Sequence, residues 1–492
     1  MTLPPPPQNQ WKTLDKDLGR IDRLEEASHF VARPLVAPGI ALAFVVLAGI
    51  GAAVFFGAQP GALVVIAAAV IGAYMALNIG ANDVANNMGP AVGANALTLG
   101  GALLIAAVFE TAGALIAGGD VVKTVSSGIV APEAIAEGAT FVWAMMAALL
   151  AAALWLNLAT WLGAPVSTTH SIVGGVVGAG IAAAGVDAVN WLAMGRIAAS
   201  WVISPVLGGI IAAAFLALIK ARIMYVDDKI AAARRWVPLL IGIMAGAFAA
   251  YLAVKGLSKV VKVDLATSLT IGAGVGFAAW LVSVPLIRRQ SVGLENRKKS
   301  LRKLFSVPLV ISAALLSFAH GANDVANAVG PLAAIVHAVG EGAAAGGSVK
   351  LPLWVMLIGA GGISFGLVLF GPKLIRMVGS EITKLNPMRA YCVALSAALT
   401  VIVASWLGLP VSSTHIAVGA VFGVGFFREW HAERRARALG LIKGKVVPVE
   451  ERRRRKLVRR SHLVAVAAAW VVTVPASAAL SALLFTILRL VA

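Results

Sequence analysis

The chain has 492 residues, 60% of them apolar and only 13% charged, with a mean hydropathy of +0.89. This excludes a soluble globular enzyme and points to an all-α polytopic membrane protein, since a ~30 Å hydrocarbon core needs about 20 apolar residues per crossing. The net charge of +19 does not argue for nucleic acid, because the basic residues gather in loops between apolar runs, where they mark the cytoplasmic side.

Residues 1–34 are polar, contain the run Pro4–Pro7 and lack an apolar core directly after the start, so they read as a disordered tail and not as a cleavable signal peptide. Apolar windows then recur near 35–57, 61–81, 99–118, 139–163, 191–220, 236–256, 267–288, 304–325, 353–371, 389–408 and 462–491, which predicts 11–12 transmembrane segments. The single cysteine, Cys392, lies inside one of these runs and can form no intrachain disulfide.

Three basic loops set the orientation: Lys220 to Arg235, Arg288 to Lys303 with the cluster Arg297, Lys298 and Lys299, and Arg428 to Arg460 with Arg452 to Lys456. All three are expected on the cytoplasmic side. The first two are separated by two apolar runs, as one shared side requires, and the third is expected to touch anionic membrane lipid. The chain thus divides into the tail 1–34, a first repeat within 35–235, a linking helix pair with its basic loop at 236–303, and a second repeat at 304–492 that carries the loop 428–460.

The repeat is written in two pairs of motifs. Gly80 to Asn87 reads GANDVANN and Gly321 to Ala328 reads GANDVANA; some eighty residues after each, Trp161 to His170 reads WLGAPVSTTH and Trp406 to His415 reads WLGLPVSSTH. Weaker matches join 118–129 to 371–382 and 199–206 to 468–475. The helix that closes the first repeat ends at a basic loop, whereas its counterpart starts at one, so equivalent helices run in opposite directions. That is an inverted-topology duplication, an architecture in which secondary transporters place substrate and coupling ions near the bilayer midplane.

An aspartate at mid-bilayer depth costs about 2.5 to 3.5 kcal/mol, and here the cost is met twice, at Asp83 and Asp324. Both carboxylates, with the amide oxygens of Asn82, Asn86, Asn323 and Asn327, offer hard oxygen ligands for Na⁺ or a carboxyl for H⁺. Gly80 and Gly321 are expected to permit unwound backbone there.

In PVSTTH and PVSSTH a proline opens a helix, Pro165 in the first, and Ser167, Thr168 and Thr169 or Ser412, Ser413 and Thr414 put hydroxyls beside free N–H groups. The apolar segments that follow, from Val166 to about Ala184 and from Val411 to Phe427, are too short for separate spans and predict two re-entrant helical hairpins. Their N-termini, facing each other, would cradle a tetrahedral oxyanion.

The blander reading is that the hydroxyls bond their own helices, the asparagines glue helices together and Gly174, Gly175 and Gly178 serve close packing; for the glycines it is the preferred one. His170 and His415 could shuttle protons, ligate a metal or cap a helix. Glu110 is a further intramembrane carboxylate, and His320 stands out because its partner position in the first repeat is Ile79.

The two GANDVAN motifs together with PVSTTH and PVSSTH resemble the PiT family of inorganic phosphate transporters, and the similarity covers nearly the whole membrane region. The resemblance implies symport of inorganic phosphate with a cation, no cofactor beyond the coupling ion, and a multi-pass protein of the plasma membrane, a bacterial inner membrane, with a homodimer as its expected assembly. It puts the site on Asn82, Asp83, Asn323 and Asp324 with Ser167, Thr168, Thr169, Ser412, Ser413 and Thr414; taken with the reading of the residues above, the substrate is expected on Asn82, Asn323 and the six hydroxyls, and cation coupling on Asp83, Asp324, Asn86, Asn327, Glu110 and His320. Glu110 matches a glutamate of sodium-coupled relatives, but Ala394 stands where those relatives often have an acid, which favours protons over sodium.

Sulfate permeases share the family, and carriage of a metal–phosphate complex is an alternative. At neutral pH phosphate carries a proton that a carboxylate such as Asp83 or Asp324 could accept, which sulfate does not offer. A membrane hydrolase would need a motif such as H-E-x-x-H or G-x-S-x-G, and neither is present. A phosphate channel would place no carboxylates at the midplane.

Overall fold

A computed structural model describes residues 35–135, 137–162, 166–257, 261, 263–341, 349, 351–377, 385–438 and 460–491. The tail 1–34, Pro165 and the cluster Arg452 to Lys456 lie outside the described residues. The long helices are α1 (Leu35–Phe56), α2 (Ala62–Gly93), α3 (Leu99–Ala117), α4 (Gly138–Leu162), α5 (Thr168–Ala184), α6 (Trp191–Ile219), α7 (Lys229–Lys255), α8 (Leu265–Gln290), α9 (Ser306–Glu341), α10 (Leu353–Met377), α11 (Pro387–Trp406), α12 (Ser413–Ala438) and α13 (Arg460–Val491). The fold is all-α, and 11 helices among the described residues are long and apolar enough to cross a membrane.

Helices begin where a short polar side chain precedes an apolar run, because its oxygen takes one of the unpaired N–H groups of the first turn. Thr98 accepts from the Gly101 N–H, Asn190 from Ala193, Asp228 from Ala231, Asp264 from Thr267 and Asn386 from Arg389. Large apolar side chains such as Val54, Val202 and Val282 point outward, as lipid contact allows.

The duplication is visible in the packing. Helix α2 packs on α10 and α9 on α3, while α5 packs on α13 and α12 on α6, so each pairing has a counterpart when the repeats are exchanged. The close crossings repeat as well: Gly174 abuts the Val474 carbonyl as Gly419 abuts that of Pro205, with a Cβ at either glycine falling 2.6 Å or 2.2 Å from oxygen.

One expectation is overturned. Helices α2 and α9 run unbroken through both GANDVAN motifs, for 32 and 36 residues, so the backbone at Gly80 and Gly321 is helical rather than unwound. Their role is contact. A Cβ on Gly80 would stand 1.9 Å from the Ile363 carbonyl oxygen and one on Gly321 2.1 Å from that of Glu110, so the absence of a side chain lets α2 meet α10 and α9 meet α3. Pro90 and Pro331 lie inside the same helices and have no N–H to give to the carbonyls of Asn86 and Asn327, one turn back.

The pairs α4–α5 and α11–α12 form the two hairpins, and α5, at 17 residues, is too short to span alone. They enter from opposite faces. The flanks of the first are tied by an antiparallel bridge between Val130 and Val189 and carry no arginine, whereas the outer ends of the second carry Arg389 and Arg428.

Candidate functional site

The tips of both hairpins reach the middle of α2 and α9. Ser167 caps α5 by accepting from the His170 N–H at 3.2 Å, and Ser412 does the same for the His415 N–H at 3.3 Å. With the serine oxygens spent on the caps, the threonines turn to the motif residues.

Thr168 Oγ1 donates to Asp83 Oδ2 at 3.0 Å and also lies 3.3 Å from Asp324 Oδ2. Thr414 Oγ1 donates to Asp83 Oδ1 at 3.1 Å and accepts from Asn86 Nδ2 at 2.9 Å. On the other side Thr169 accepts from Asn327 Nδ2 at 3.2 Å and donates to the Val411 carbonyl at 3.0 Å. Asn323 holds the second hairpin's loop, donating to Ser405 Oγ at 3.0 Å and the Leu409 carbonyl at 3.1 Å and accepting from the Val411 N–H at 3.1 Å. All of these residues are buried except Asn86 and Leu409, which are partly so.

His320 adds a third kind of group. Its Nε2 lies 3.1 Å from Asp324 Oδ2 and 3.8 Å from Asp83 Oδ2, and its Nδ1 lies 3.3 Å from Glu110 Oε1. Asn87 donates to that same Glu110 oxygen at 3.0 Å. Three carboxyls and one imidazole therefore share a buried pocket, and any excess negative charge there needs a proton or a cation beside it.

Ligand atoms of Asp83, His320 and Asp324 lie within 4.8 Å of one another, close enough to hold one cation. Among the described residues, buried oxygens without a hydrogen-bond donor belong to the same residues and their neighbours: Asp324 Oδ1, Glu110 Oε2, Asn87 Oδ1 and Asn327 Oδ1. Oxygen atoms in this condition suit a hard cation. Two buried donors, Asn82 Nδ2 and Ser413 Oγ, are also without protein partners among the described residues.

The structure thus brings together Thr168, Thr169, Thr414, Asp83, Asp324, Asn86, Asn327, Glu110 and His320. It assigns Ser167 and Ser412 to capping, Asn323 to the hairpin loop, and leaves Ala394 buried within α11. Asn87 escaped the sequence reading, although its signal was present: it is where GANDVANN and GANDVANA differ. The ring centroids of His170 and His415 lie 4.5 Å apart, and that of Trp201, tilted by 51°, lies 3.9 Å from His170, where the two hairpins touch.

Inverted repeats with two hairpins that meet at the middle of the bundle are an architecture that secondary transporters use. The sequence comparison is more particular. The chain belongs to the phosphate transporter family, whose profile matches residues 79–481, and it is a multi-pass membrane protein of that family rather than an enzyme. A Helicobacter pylori protein named a candidate phosphate permease is 45% identical, covering 96% of this chain and 98% of its own length; one from Pyrococcus abyssi with the same kind of name is 37% identical, covering 86% and 97%. A solved structure of a sodium-dependent phosphate transporter superposes with a TM-score of 0.78 at 35% identity, covering 87% of this chain and 100% of that one.

Proposed function

We propose that this phosphate transporter is a symporter that imports inorganic phosphate by alternating access, with a proton as the coupling ion. The carrying observation is His320, whose two ring nitrogens lie 3.1 Å from the Asp324 carboxyl and 3.3 Å from that of Glu110. An imidazole between carboxyls is a group that can take up and release a proton without a hydration shell having to be stripped.

In this reading the cation is bound first. With Asp83, Asp324 and Glu110 left uncompensated, an anion approaching the hairpin tips is repelled; with the charge balanced, the N-termini of α5 and α12 attract it. Thr168 and Thr414 couple the two events, since each hydroxyl starts a hairpin helix and contacts Asp83. The repeats then rock around the occupied site to open the opposite face.

Sodium coupling is the second reading, favoured by the four buried oxygens that lack donors and by the sodium dependence of the similar transporter of known structure. The two separate in proteoliposomes loaded to impose either a proton or a sodium gradient, with labelled phosphate outside and excess unlabelled sulfate added in parallel. Uptake driven by protons and indifferent to sulfate is the expected result. Uptake driven by sodium alone overturns the proton assignment, competition by sulfate overturns the phosphate preference, and downhill flux with no gradient dependence overturns symport.

A further inference from the structure

Four successive carbonyls at the tip of the second hairpin are each taken by a side chain from another element. Helix α11 closes at Gly408, whose φ of 67° lies in the left-handed region, with the Gly408 N–H bonded to the Ser405 carbonyl and the Leu409 N–H to that of Ala404. That turn satisfies the end of α11, and the chain then runs outside any helix until Ser412 caps α12. Over this stretch Thr124 Oγ1 donates to the Gly408 carbonyl at 2.7 Å, Asn323 Nδ2 to Leu409 at 3.1 Å, Trp201 Nε1 to Pro410 at 3.0 Å and Thr169 Oγ1 to Val411 at 3.0 Å.

Asn323 and Thr169 belong to the motifs, whereas Trp201 and Thr124 lie in the two weaker repeat matches, 199–206 and 118–129. Trp201, on α6, reaches both hairpins: its N–H takes Pro410 of the second, and its ring centroid lies 3.9 Å from that of His170 in the first. Thr124 opens a single wide turn, Thr124–Gly128, of the π-helical kind that often marks functional positions. Its hydroxyl is 3.4 Å from the Asp120 carbonyl one turn back but 2.7 Å from that of Gly408, so the hairpin holds the stronger bond. The segment that presents it is fixed on two sides, by the ion pair of Asp120 with Lys255 on α7 and by Val125, which abuts Gly330 on α9. Pro410 is buried and Gly408 partly so, and a buried carbonyl stripped of its donor is costly.

We infer that Trp201 and Thr124 are positioning residues: by holding the Pro410 and Gly408 carbonyls they fix where the N-terminus of α12 points, and so set the affinity for phosphate. Neither touches the anion. Ser412 follows Val411 directly, so a shift of the tip carries the first N–H groups of α12 with it, and a misplaced donor binds less well. The inference rests on the reading above, in which that N-terminus attracts phosphate, and adds which residues outside the hairpins and the GANDVAN motifs hold it in place.

The test measures gradient-driven uptake of labelled phosphate by the full chain in proteoliposomes. Trp201→Phe keeps a ring beside His170 and removes the N–H; Thr124→Val is nearly isosteric and removes the hydroxyl. Each is expected to raise KM for phosphate about tenfold, the scale of one buried carbonyl left unpaired, with the maximal rate little changed, and Thr124→Ser is expected to restore the native KM. The tip is read separately, without phosphate: Leu409→Cys is placed in the native chain and in each variant, with Cys392 buried and silent, and rates of maleimide labelling are compared. Faster labelling together with a raised KM is the expected result. Faster labelling at native KM would show that the two donors hold the tip but that α12 does not receive the anion, which overturns the reading of the site and the inference with it. Native labelling at native KM overturns the inference and leaves that reading standing. A raised KM with native labelling also overturns it, because the donors then act other than through the tip. So does a Thr124→Ser variant as impaired as Thr124→Val, or a fall in maximal rate alone, either of which assigns these residues to general packing. Should Trp201→Phe fail to fold, the two Thr124 variants decide.

Discussion

Asp83 in the first repeat is held by two hydroxyls, Thr168 and Thr414, one from each hairpin, whereas Asp324 in the second shares Thr168 with it and otherwise faces His320 from its own helix. The backbone around them obeys the pseudo-twofold relation, as the matched crossings of Gly80 with Ile363 and Gly321 with Glu110 show. The same crossings identify the residues that break it. Where α9 meets α3 there are Glu110 and His320; where α2 meets α10 the equivalent residues are Ile363 and Ile79, both buried and apolar. Asn87, which donates to Glu110, has Ala328 as its counterpart. Three exchanges of polar for apolar residue thus meet in a single chain of contacts, Asn87 to Glu110 to His320 to Asp324. The lesson is that symmetry positions the hairpin tips against the two aspartates, while Glu110, His320 and Asn87 form contacts that have no counterpart across the axis.

The comparison can be broken most severely at the aspartates. Asp83→Asn and Asp324→Asn are each expected to reduce gradient-driven phosphate uptake by about a hundredfold or more, the scale of disrupting a buried charged network; retention of full coupled uptake by both would sink the mechanism. Making the two sides alike with His320→Ile and Glu110→Ile is expected to abolish uphill accumulation, while counterflow exchange of labelled for unlabelled phosphate persists at a reduced rate. A double-mutant cycle with Glu110→Gln and His320→Gln sharpens the point: a coupling of about 1–3 kcal/mol is expected for groups in one network, and simple additivity would show that the 3.3 Å approach of the two side chains carries no function.

Gly80→Ala and Gly321→Ala test the symmetric part instead. Both place a methyl group against a carbonyl of the neighbouring helix, so both are expected to lower thermal stability by about 1–3 kcal/mol, and to similar extents. The smallest effect falls on the hydroxyls. Thr168→Val removes a buried hydrogen bond to Asp83, costing about 1 kcal/mol, whereas its repeat counterpart Ser413→Ala removes a hydroxyl with no protein partner among the described residues and is expected to leave the melting temperature unchanged. A rise in KM for phosphate in Ser413→Ala would support the assignment of that hydroxyl to the substrate.

The inverted repeat, the two hairpins and the family were legible because they depend on local features: apolar run length, loop charge and two long motif matches. The convergence of Asp83, Asp324, Thr168 and Thr414 was legible as an expectation because duplication forces equivalent motifs to face each other. The conformation at Gly80 and Gly321 was not. Glycine beside asparagine and aspartate reads as a helix breaker when only the local chain is considered, and the contact each glycine serves is with a neighbour more than 200 residues away. The chain from Asn87 to Asp324 was hidden for the same reason. Its members lie on α2, α3 and α9, and only the contrast of His320 with Ile79 hinted that the halves had diverged.

That divergence makes each half depend on the other. A homodimer of the first half would set two Glu110 equivalents against two isoleucines, and a homodimer of the second would set two His320 equivalents against two isoleucines. The contact of Glu110 with His320 exists only because the halves are different. With those exchanges in place the two halves are no longer interchangeable, and neither could replace the other without losing that contact.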